Sequence, residues 1–387
     1  MLPVFSITAL SLAGGAFART NTSTALSRAT TAAETLQTWY NGATGIWNTC
    51  GWWNGANCMT TLADLAALDL DDAVKGTATG VFQNTFSVAT NSNPYPARGI
   101  DADYTSGNGT AYYAGTSEVE RVPTGAANAS LWLDGSYDDD AWWGLAWIAA
   151  YDVTGNEDFL DLAEGIFYHL CGNGGIDSDY THVYVGAIAN ELFLALAAQL
   201  ANRASNSTYY LDWAQRQWSW FRDSGLINEN HTINDGLTND CTNNGQTAWT
   251  YNQGVILGGL VELHRAAGND SSNSTYLEDA GKIAAGAIAA LVDEEHVLHE
   301  PCEPDGCGGD QTQFKGIFMR NLKFLHAVAP NDTYAKVINA SADSLWENDR
   351  TDANELGVDW SGPVDSADVN ASTHSSALDA LVAAIWQ

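Results

Sequence analysis

The sequence predicts an all-α chain, folded as a single domain in the form of an (α/α)6 barrel. Three observations lead there. Apolar residues recur at helical spacing from end to end, and few runs alternate in the manner of strands. About a dozen such segments can be counted, with starts near Thr31, Thr60, Asp72, Tyr137, Glu157, Val183, Thr208, Thr247, Thr275, Asp310, Tyr334 and His374. The segments are of two kinds. Val183 to Leu200 and Val255 to Leu263 are apolar nearly all round and belong inside, covered by others, whereas Thr208 to Phe221 mixes charges with aromatics and suits an outer layer. Two concentric layers of six helices make such a barrel, and the inner helix ends line a cleft at one face. Their spacing is too irregular for a solenoid of identical repeats.

The chain begins with an apolar stretch, Leu2 to Phe17, ending in Ala16-Phe17-Ala18, a small-x-small cleavage pattern. Residues 1–18 therefore read as a signal peptide and 19–387 as one catalytic domain, because no Pro-rich or Gly/Ser-rich linker and no block of one charge sign divides the rest. No later segment holds eighteen uninterrupted apolar residues, so no membrane span is expected. The C-terminal stretch from Ser375 to Gln387 is short, carries an Asp, and is a poor lipid-anchor signal. A secreted protein, extracellular or in a cell wall, is the expectation.

Two features agree with export. Glycan acceptor sequons stand at Asn21, Asn108, Asn128, Asn206, Asn230, Asn269, Asn273, Asn331, Asn339 and Asn370. The six cysteines form an even set. Cys50/Cys58 and Cys302/Cys307 are close enough in sequence to pair locally, which leaves Cys171 and Cys241 for a third bridge by elimination. The first pair would clamp a loop around Trp52-Trp53. No CxxC pair or histidine cluster accompanies these cysteines, so no zinc is expected. No other metal or cofactor is implied.

The formal net charge is −32 over 387 residues. Such a surface repels phosphate backbones, which argues against nucleic acid as a partner. It repels anionic membrane for the same reason.

The chain has 15 Trp and 15 Tyr. Most large aromatics fill cores. A few here keep polar company: Trp39-Tyr40, Trp47, Trp52-Trp53, Trp142-Trp143 and Trp249/Tyr251 sit beside Asn, Gln, Gly and Asp. Sugars present apolar faces that stack on rings and hydroxyls that amides and carboxylates receive, so this mixture suits a carbohydrate cleft.

The sharpest constellation is Gly135-Ser-Tyr-Asp-Asp-Asp-Ala-Trp-Trp-Gly-Leu-Ala-Trp147. Asp138, Asp139 and Asp140 fall where a helix begins. One acid there would cap free N–H groups and suit the macrodipole, for ~0.3–1 kcal/mol. Three repel one another against tryptophan, which raises the pKa of at least one carboxyl. Glycoside hydrolysis needs one protonated and one ionised carboxyl. From the residues alone the strip reads either as a cap or as a catalytic pair.

The wider text resembles glycoside hydrolase family 76, the endo-α-1,6-mannanases. Tyr137 to Trp147 is similar to that family's paired-aspartate motif. Gly174-Gly-Ile with His182 to Phe193, then Trp249 to Leu260, then Asp310 to Phe318, are similar to further landmarks in the family's order. The resemblance spans roughly residues 35 to 345 and implies the (α/α)6 fold and a retaining mechanism. It implies Asp138 as nucleophile and Asp139 as acid/base, with Asp140 as a supporting or capping residue. Trp142 and Trp143 follow as cleft wall or core support. Tyr184, Asn190, Tyr251, Asn252 and Gln253 match motif positions and are candidates either for sugar contacts or for internal hydrogen bonds between inner helices. The chain departs from the family's usual Lys-Asn after the tyrosine, having Val185-Gly186, which concerns outer subsites.

The resulting expectation is retaining endo-hydrolysis of α-1,6-mannosidic linkages in mannan. Two other readings stand beside it: a transglycosylase acting on wall or lipid-anchor glycans, and a non-catalytic mannan-binding protein on the same fold.

Overall fold

A computed structural model describes residues 22–96, 128–172, 186–268, 273–303 and 305–386. Twelve α-helices lie among them: α1 Thr22–Leu36, α2 Trp52–Ala67, α3 Asp72–Val88, α4 Tyr137–Thr154, α5 Glu157–Gly172, α6 Ala187–Ala201, α7 Ser207–Asp223, α8 Thr250–Ala267, α9 Asn273–Leu291, α10 Gln311–Val328, α11 Asp332–Asn348 and α12 Ala371–Ala383. One short antiparallel hairpin, β1 Tyr40–Asn41 with β2 Ile46–Trp47, precedes α2.

The even-numbered helices form a closed inner ring, each packed on the next: α2 on α4, α4 on α6, α6 on α8, α8 on α10, α10 on α12, and α12 back on α2. Each odd-numbered helix covers the ring from outside; α11 lies against both α10 and α12. This is the (α/α)6 barrel that the alternation of helix types anticipates. The inner helices are buried on every side: in α6 only Ala189 and Gln199 escape full burial. An outer helix such as α7 buries one stripe, Tyr210, Ala214, Gln217, Trp218 and Phe221.

Close packing of the ring depends on glycine at two crossings. A Cβ on Gly254 of α8 would stand 2.6 Å from the Cα of Phe318 on α10. A Cβ on Gly316 of α10 would collide with the carbonyl oxygen of Ser376 on α12. Helix starts are set by local chemistry: Asp71 accepts the N–H groups of Ala73 and Val74 to open α3, and Asn370 with Thr373 forms a capping box on α12.

The links have two lengths. From an inner helix to the next outer one the chain needs only residues 68–71, 155–156, 202–206 or 329–331. The return to an inner helix takes 37–51, 224–249, 292–310 or 349–370. All long links therefore gather at the face where inner helices begin, and that face has the material for a cleft.

Two helix starts differ from expectation. Helix α1 begins at Thr22 rather than Thr31, because its apolar stripe is built from alanines, Ala25, Ala29, Ala32 and Ala33, which give a weak periodic signal. Helix α2 begins at Trp52 rather than Thr60. Gly51-Trp-Trp-Asn-Gly55 looks like a loop, yet Trp52, Trp53, Asn54 and Gly55 are all buried helical residues.

The cysteines correct the disulfide expectation in part. Cys302 and Cys307 are bridged, as expected. Cys50, Cys58, Cys171 and Cys241 are thiols. Because Trp52-Trp53 opens α2, no loop exists between Cys50 and Cys58 to clamp. Burial, then the adjoining Cys50 thiol, pushes the Cys58 thiol well above its ordinary pKa. Cys171 ends half-buried on α5 next to Tyr209, while Cys241 is exposed in a turn at φ +57°. The expected signal peptide, residues 1–18, lies outside the described residues.

Candidate active site

The N-terminus of α4 places Asp138, Asp139 and Asp140 on the cleft face of the inner ring. Its N-cap, Ser136, is extended and makes no side-chain cap bond, so the helix relies on the acids of its first turn. The three acids do different things. Asp140 is fully buried. One of its oxygens accepts the backbone N–H of Asp134 at 3.0 Å, and the other lies 3.7 Å from Nε2 of buried His169. Burial holds the His169 pKa down at about 4, so this imidazole is neutral, and burial raises Asp140.

Asp138 and Asp139 are half-buried. Burial raises the Asp138 pKa, but its carboxylate accepts the backbone N–H groups of Asp138 itself and Asp139, which oppose that rise. Asp139 has no such helix N–H support. Burial first, then the charges of Asp138 and Asp134 and a hydrogen bond with the Asp134 side chain, push it up to about 9. Asp134 is itself buried and accepts the Ser136 N–H at 2.9 Å. The pair thus combines one carboxyl whose rise is opposed by helix N–H groups with a neighbour held protonated.

Aromatic rings form the wall opposite. Trp53 of α2 donates its indole N–H to Asp310, the residue before α10, at 2.9 Å. Its ring stacks on Trp142 at 5.7 Å between centroids and meets Phe314 at 6.3 Å. Tyr251 of α8 lies flat on Phe314, 3.7 Å away and tilted by 10°. Burial raises the Tyr251 hydroxyl, followed by the charges of Asp235, Glu191, Asp138 and Asp310, which places this phenol among the cleft acids. Glu191 is fully buried on α6, with neither carboxyl oxygen hydrogen-bonded. Burial and then Asp235 keep it protonated well above its ordinary value.

Of the residues singled out in the sequence, Asp138, Asp139 and Tyr251 come together here. Trp142 is nearly fully buried: it supports Trp53 from below, with the Arg320 guanidinium 5.8 Å from its ring. Trp143 is core support and not cleft wall. It is completely buried between Trp52 and Trp132, at 4.7 and 4.9 Å, and belongs to the core. Gln253 takes the internal one of its two expected roles: its amide donates to the carbonyls of Ile233 and Trp249, its oxygen accepts the Ile233 N–H, and the fully buried side chain ties the link 224–249 to α8. Asn190 likewise donates to the Gly186 carbonyl and accepts from Gln217. Asn252 is fully buried beside Asp235, whose anion it favours. Tyr184 lies outside the described residues.

The sequence reading missed Asp134, Asp235, Glu191 and Phe314. Asp134 had a signal: it stands just before Gly135-Ser-Tyr-Asp-Asp-Asp, in the same acidic strip. Asp235 had none, because only the fold of residues 224–249 returns it to α8.

Among the described residues one group, His299, Glu303 and Asp359, has metal-like spacing. Its donors are already engaged. His299 lies 2.8 Å from Glu303 and 2.9 Å from Asp293, and these carboxylates raise its pKa, Glu303 foremost. The Lys315 ammonium pairs with the other Glu303 oxygen. The His299 ring and the Lys315 ammonium fill the place a cation would take.

A family model described as Glycosyl hydrolase family 76 matches residues 24–387. Mannan endo-1,6-alpha-mannosidase DFG5 of Saccharomyces cerevisiae is 28% identical over 250 residues, covering 58% of this chain and 54% of that one. The chain spans about half the length of the curated relatives it matches. Among solved structures, the GH76A alpha-1,6-mannanase of Salegentibacter sp. HEL1_6 superposes with a TM-score of 0.67 at 20% identity, covering 93% of this chain and 98% of that one. Another solved structure is an inactive variant of that mannanase, altered at two aspartates, in complex with alpha-1,6-mannotetrose. Dfg5 of Chaetomium thermophilum, in complex with glucosamine, superposes with a TM-score of 0.70 at 20% identity, covering 96% and 92%. Among the described residues no helix is long and apolar enough to cross a membrane.

Proposed function

Since the chain belongs to glycosyl hydrolase family 76, we propose that it is a secreted, retaining endo-α-1,6-mannanase acting through Asp138 and Asp139. The observation that carries this reading is the divergence of two adjacent carboxyls. Burial raises both, but N–H groups of the α4 terminus offset the rise at Asp138, whereas burial and the charges of Asp138 and Asp134 carry Asp139 to about 9. Pairs whose surroundings push their pKa values apart divide into nucleophile and acid.

In the first step an Asp138 oxygen attacks the anomeric carbon, and the C–O bond to the leaving sugar breaks as Asp139 gives that oxygen its proton. In the second, Asp139, now ionised, takes a proton from water, which displaces Asp138 and restores both groups. Asp134 holds the Asp139 proton through their hydrogen bond. Tyr251 and Trp53 offer an aromatic wall with polar edges to the sugar. The glycan acceptor sequons and the Cys302–Cys307 bridge support export.

A second reading, transfer to an acceptor sugar instead of water, draws on the likeness to a Dfg5 crystallised with an amino sugar. One incubation separates them. With linear α-1,6-mannan, hydrolysis produces short oligosaccharides and new reducing ends, whereas transfer produces lengthened products without a net gain of reducing ends. Unchanged mannan would sink both and leave binding alone.

A further inference from the structure

The inner ring has a second mouth. At the end where the inner helices finish, away from Asp138, lies a cavity of about 260 Å³. Trp142 lies between the two: its ring supports Trp53 on the cleft side and lines this cavity on the other.

The lining is charged but nearly balanced. Asp64, Asp152 and Glu262 face Arg203, Arg265 and Arg320. Most of these charges are already matched. Arg203 grips both Asp152 oxygens at 2.7–3.0 Å and reaches Glu262 at 3.0 Å. Arg265 holds the other Glu262 oxygen at 2.6 Å, and Arg320 holds Asp379 at 3.1 Å. Asp64 is different: its Oδ2 is buried and has no hydrogen-bond partner. Burial raises its pKa to about 7, against the pull of Arg320. At the rim, Phe324 is 37% exposed, one of few large apolar side chains so exposed among the described residues.

These features select among ligand classes. An anion would meet three carboxylates with every arginine engaged. A metal ion would meet three guanidinium groups. A purely apolar guest would strip water from six charged side chains, at a heavy desolvation cost. A small neutral polyol suits the lining: it supplies both donors and acceptors, Asp64 can serve as either, and an apolar sugar face can lie on Phe324. The volume is below the ~300–1,000 Å³ that holds drug-sized ligands, which fits a guest of one sugar ring.

We propose that this far cavity is a second, non-catalytic site that takes a single neutral sugar residue, with Asp64 receiving its hydroxyls and Phe324 its apolar face. The choice of a mannoside as first probe rests on the mannanase reading; the polyol chemistry does not.

The test is a crystal of the full chain soaked with methyl α-mannoside, together with affinity electrophoresis in gels containing mannan. Sugar density in the far cavity, within hydrogen-bond distance of Asp64, is the expected result. Phe324→Ala and Asp64→Asn should each reduce retardation by mannan at least threefold, while turnover of α-1,6-mannotetraose stays within twofold of the parent. Phe324 is at the rim, so its variant remains informative if Asp64→Asn disturbs the barrel. Density confined to the Asp138 cleft would overturn the proposal. So would phosphate or calcium occupying the cavity in side-by-side soaks while the sugar does not, or both variants being retarded like the parent. Density in the far cavity with no mannotetraose turnover by the parent would support this site and sink the mannanase reading, so the two fail separately.

Discussion

Asp140 accepts the backbone N–H of Asp134 at 3.0 Å and so turns the third acid of the strip away from its neighbours. This divides the roles. Asp138→Asn should lower kcat/KM on α-1,6-mannotetraose by at least roughly 10³-fold, since an amide does not attack the anomeric carbon. Asp139→Asn should lose ~10²–10⁴-fold on mannan yet recover on a mannoside whose leaving group needs no proton. Asp140→Asn should cost stability of ~1–2 kcal/mol, through the weakened bond to Asp134, with activity within tenfold of the parent. An Asp140→Asn variant that loses turnover while Asp139→Asn keeps it would shift the catalytic pair by one position.

The proposed nucleophilic role of Asp138 requires retention. Proton NMR of the first product from an α-linked substrate should show the α-anomer. A β-anomer would rule out the double displacement.

Activity should have a bell-shaped pH profile set by these two groups. The acidic limb reports Asp138 and should lie above the ordinary ~3.9 of an aspartate, because burial raises it. The basic limb reports loss of the Asp139 proton and should fall near pH 9. Measured as kcat/KM from pH 3 to 10, a basic limb at pH 6 or below would remove Asp139 as the acid.

Stability should follow pH in the opposite sense to that of most salt-bridged proteins. Burial raises Asp64 to about 7, Asp379 to about 6, and Glu300 and Asp349 to about 8. A carboxyl raised on folding keeps its proton longer in the fold than in the unfolded chain. Its contribution is complete below the unfolded value of ~4 and is lost as pH rises through its folded value. His169 and His374 work the other way: burial lowers both to about 4, so their contribution is complete above ~6.5 and lost as pH falls through 4. The thermal midpoint should therefore be higher at pH 5.5 than at pH 8.5, with the two histidines offsetting part of the gain that four raised carboxyls bring. A midpoint that climbs from pH 5.5 to 8.5 would contradict the buried, protonated carboxyls.

Lys315 is almost fully buried, paired with Glu303 and 4.4 Å from the centre of the Trp360 ring. Lys315→Met should destabilise by ~3–5 kcal/mol, because it strands a buried carboxylate. Adding Glu303→Gln should restore a large part of that loss. Denaturant titrations of the four proteins in the cycle would show it, and strict additivity would mean the pair is not coupled.

The architecture was legible because inner and outer helices differ in composition. Val255 to Leu263 reads as buried all round, and it sits inside the ring. The α4 strip was legible because three adjacent acids against tryptophan exceed the needs of a cap. Sequence reasoning failed where a residue's neighbours come from distant elements. Trp142 and Trp143 are adjacent and identical, yet one touches the cleft support and the other the core, a difference decided by α2 and Trp132. Gln253 matched a motif position that fitted a sugar contact or an internal tie, and its three hydrogen bonds are internal. Alanine stripes and a Gly-Trp-Trp start hid two helix boundaries for want of a strong periodic signal.

The stack of Trp53, Trp142 and Arg320, continued by Asn57 and Asp379, seals the axis of the ring with buried side chains. The barrel is therefore two cups set base to base, not a tube. A polymer cannot be drawn through it. On the mannanase reading, a strand cut at Asp138 would lie across the upper cup and both halves would leave by the side they entered, which suits scission anywhere along a chain rather than nibbling from its end. A sugar held in the lower cup would then belong to another strand or to a distant reach of the same one, so the protein would grip a meshwork at two places while cutting it at one.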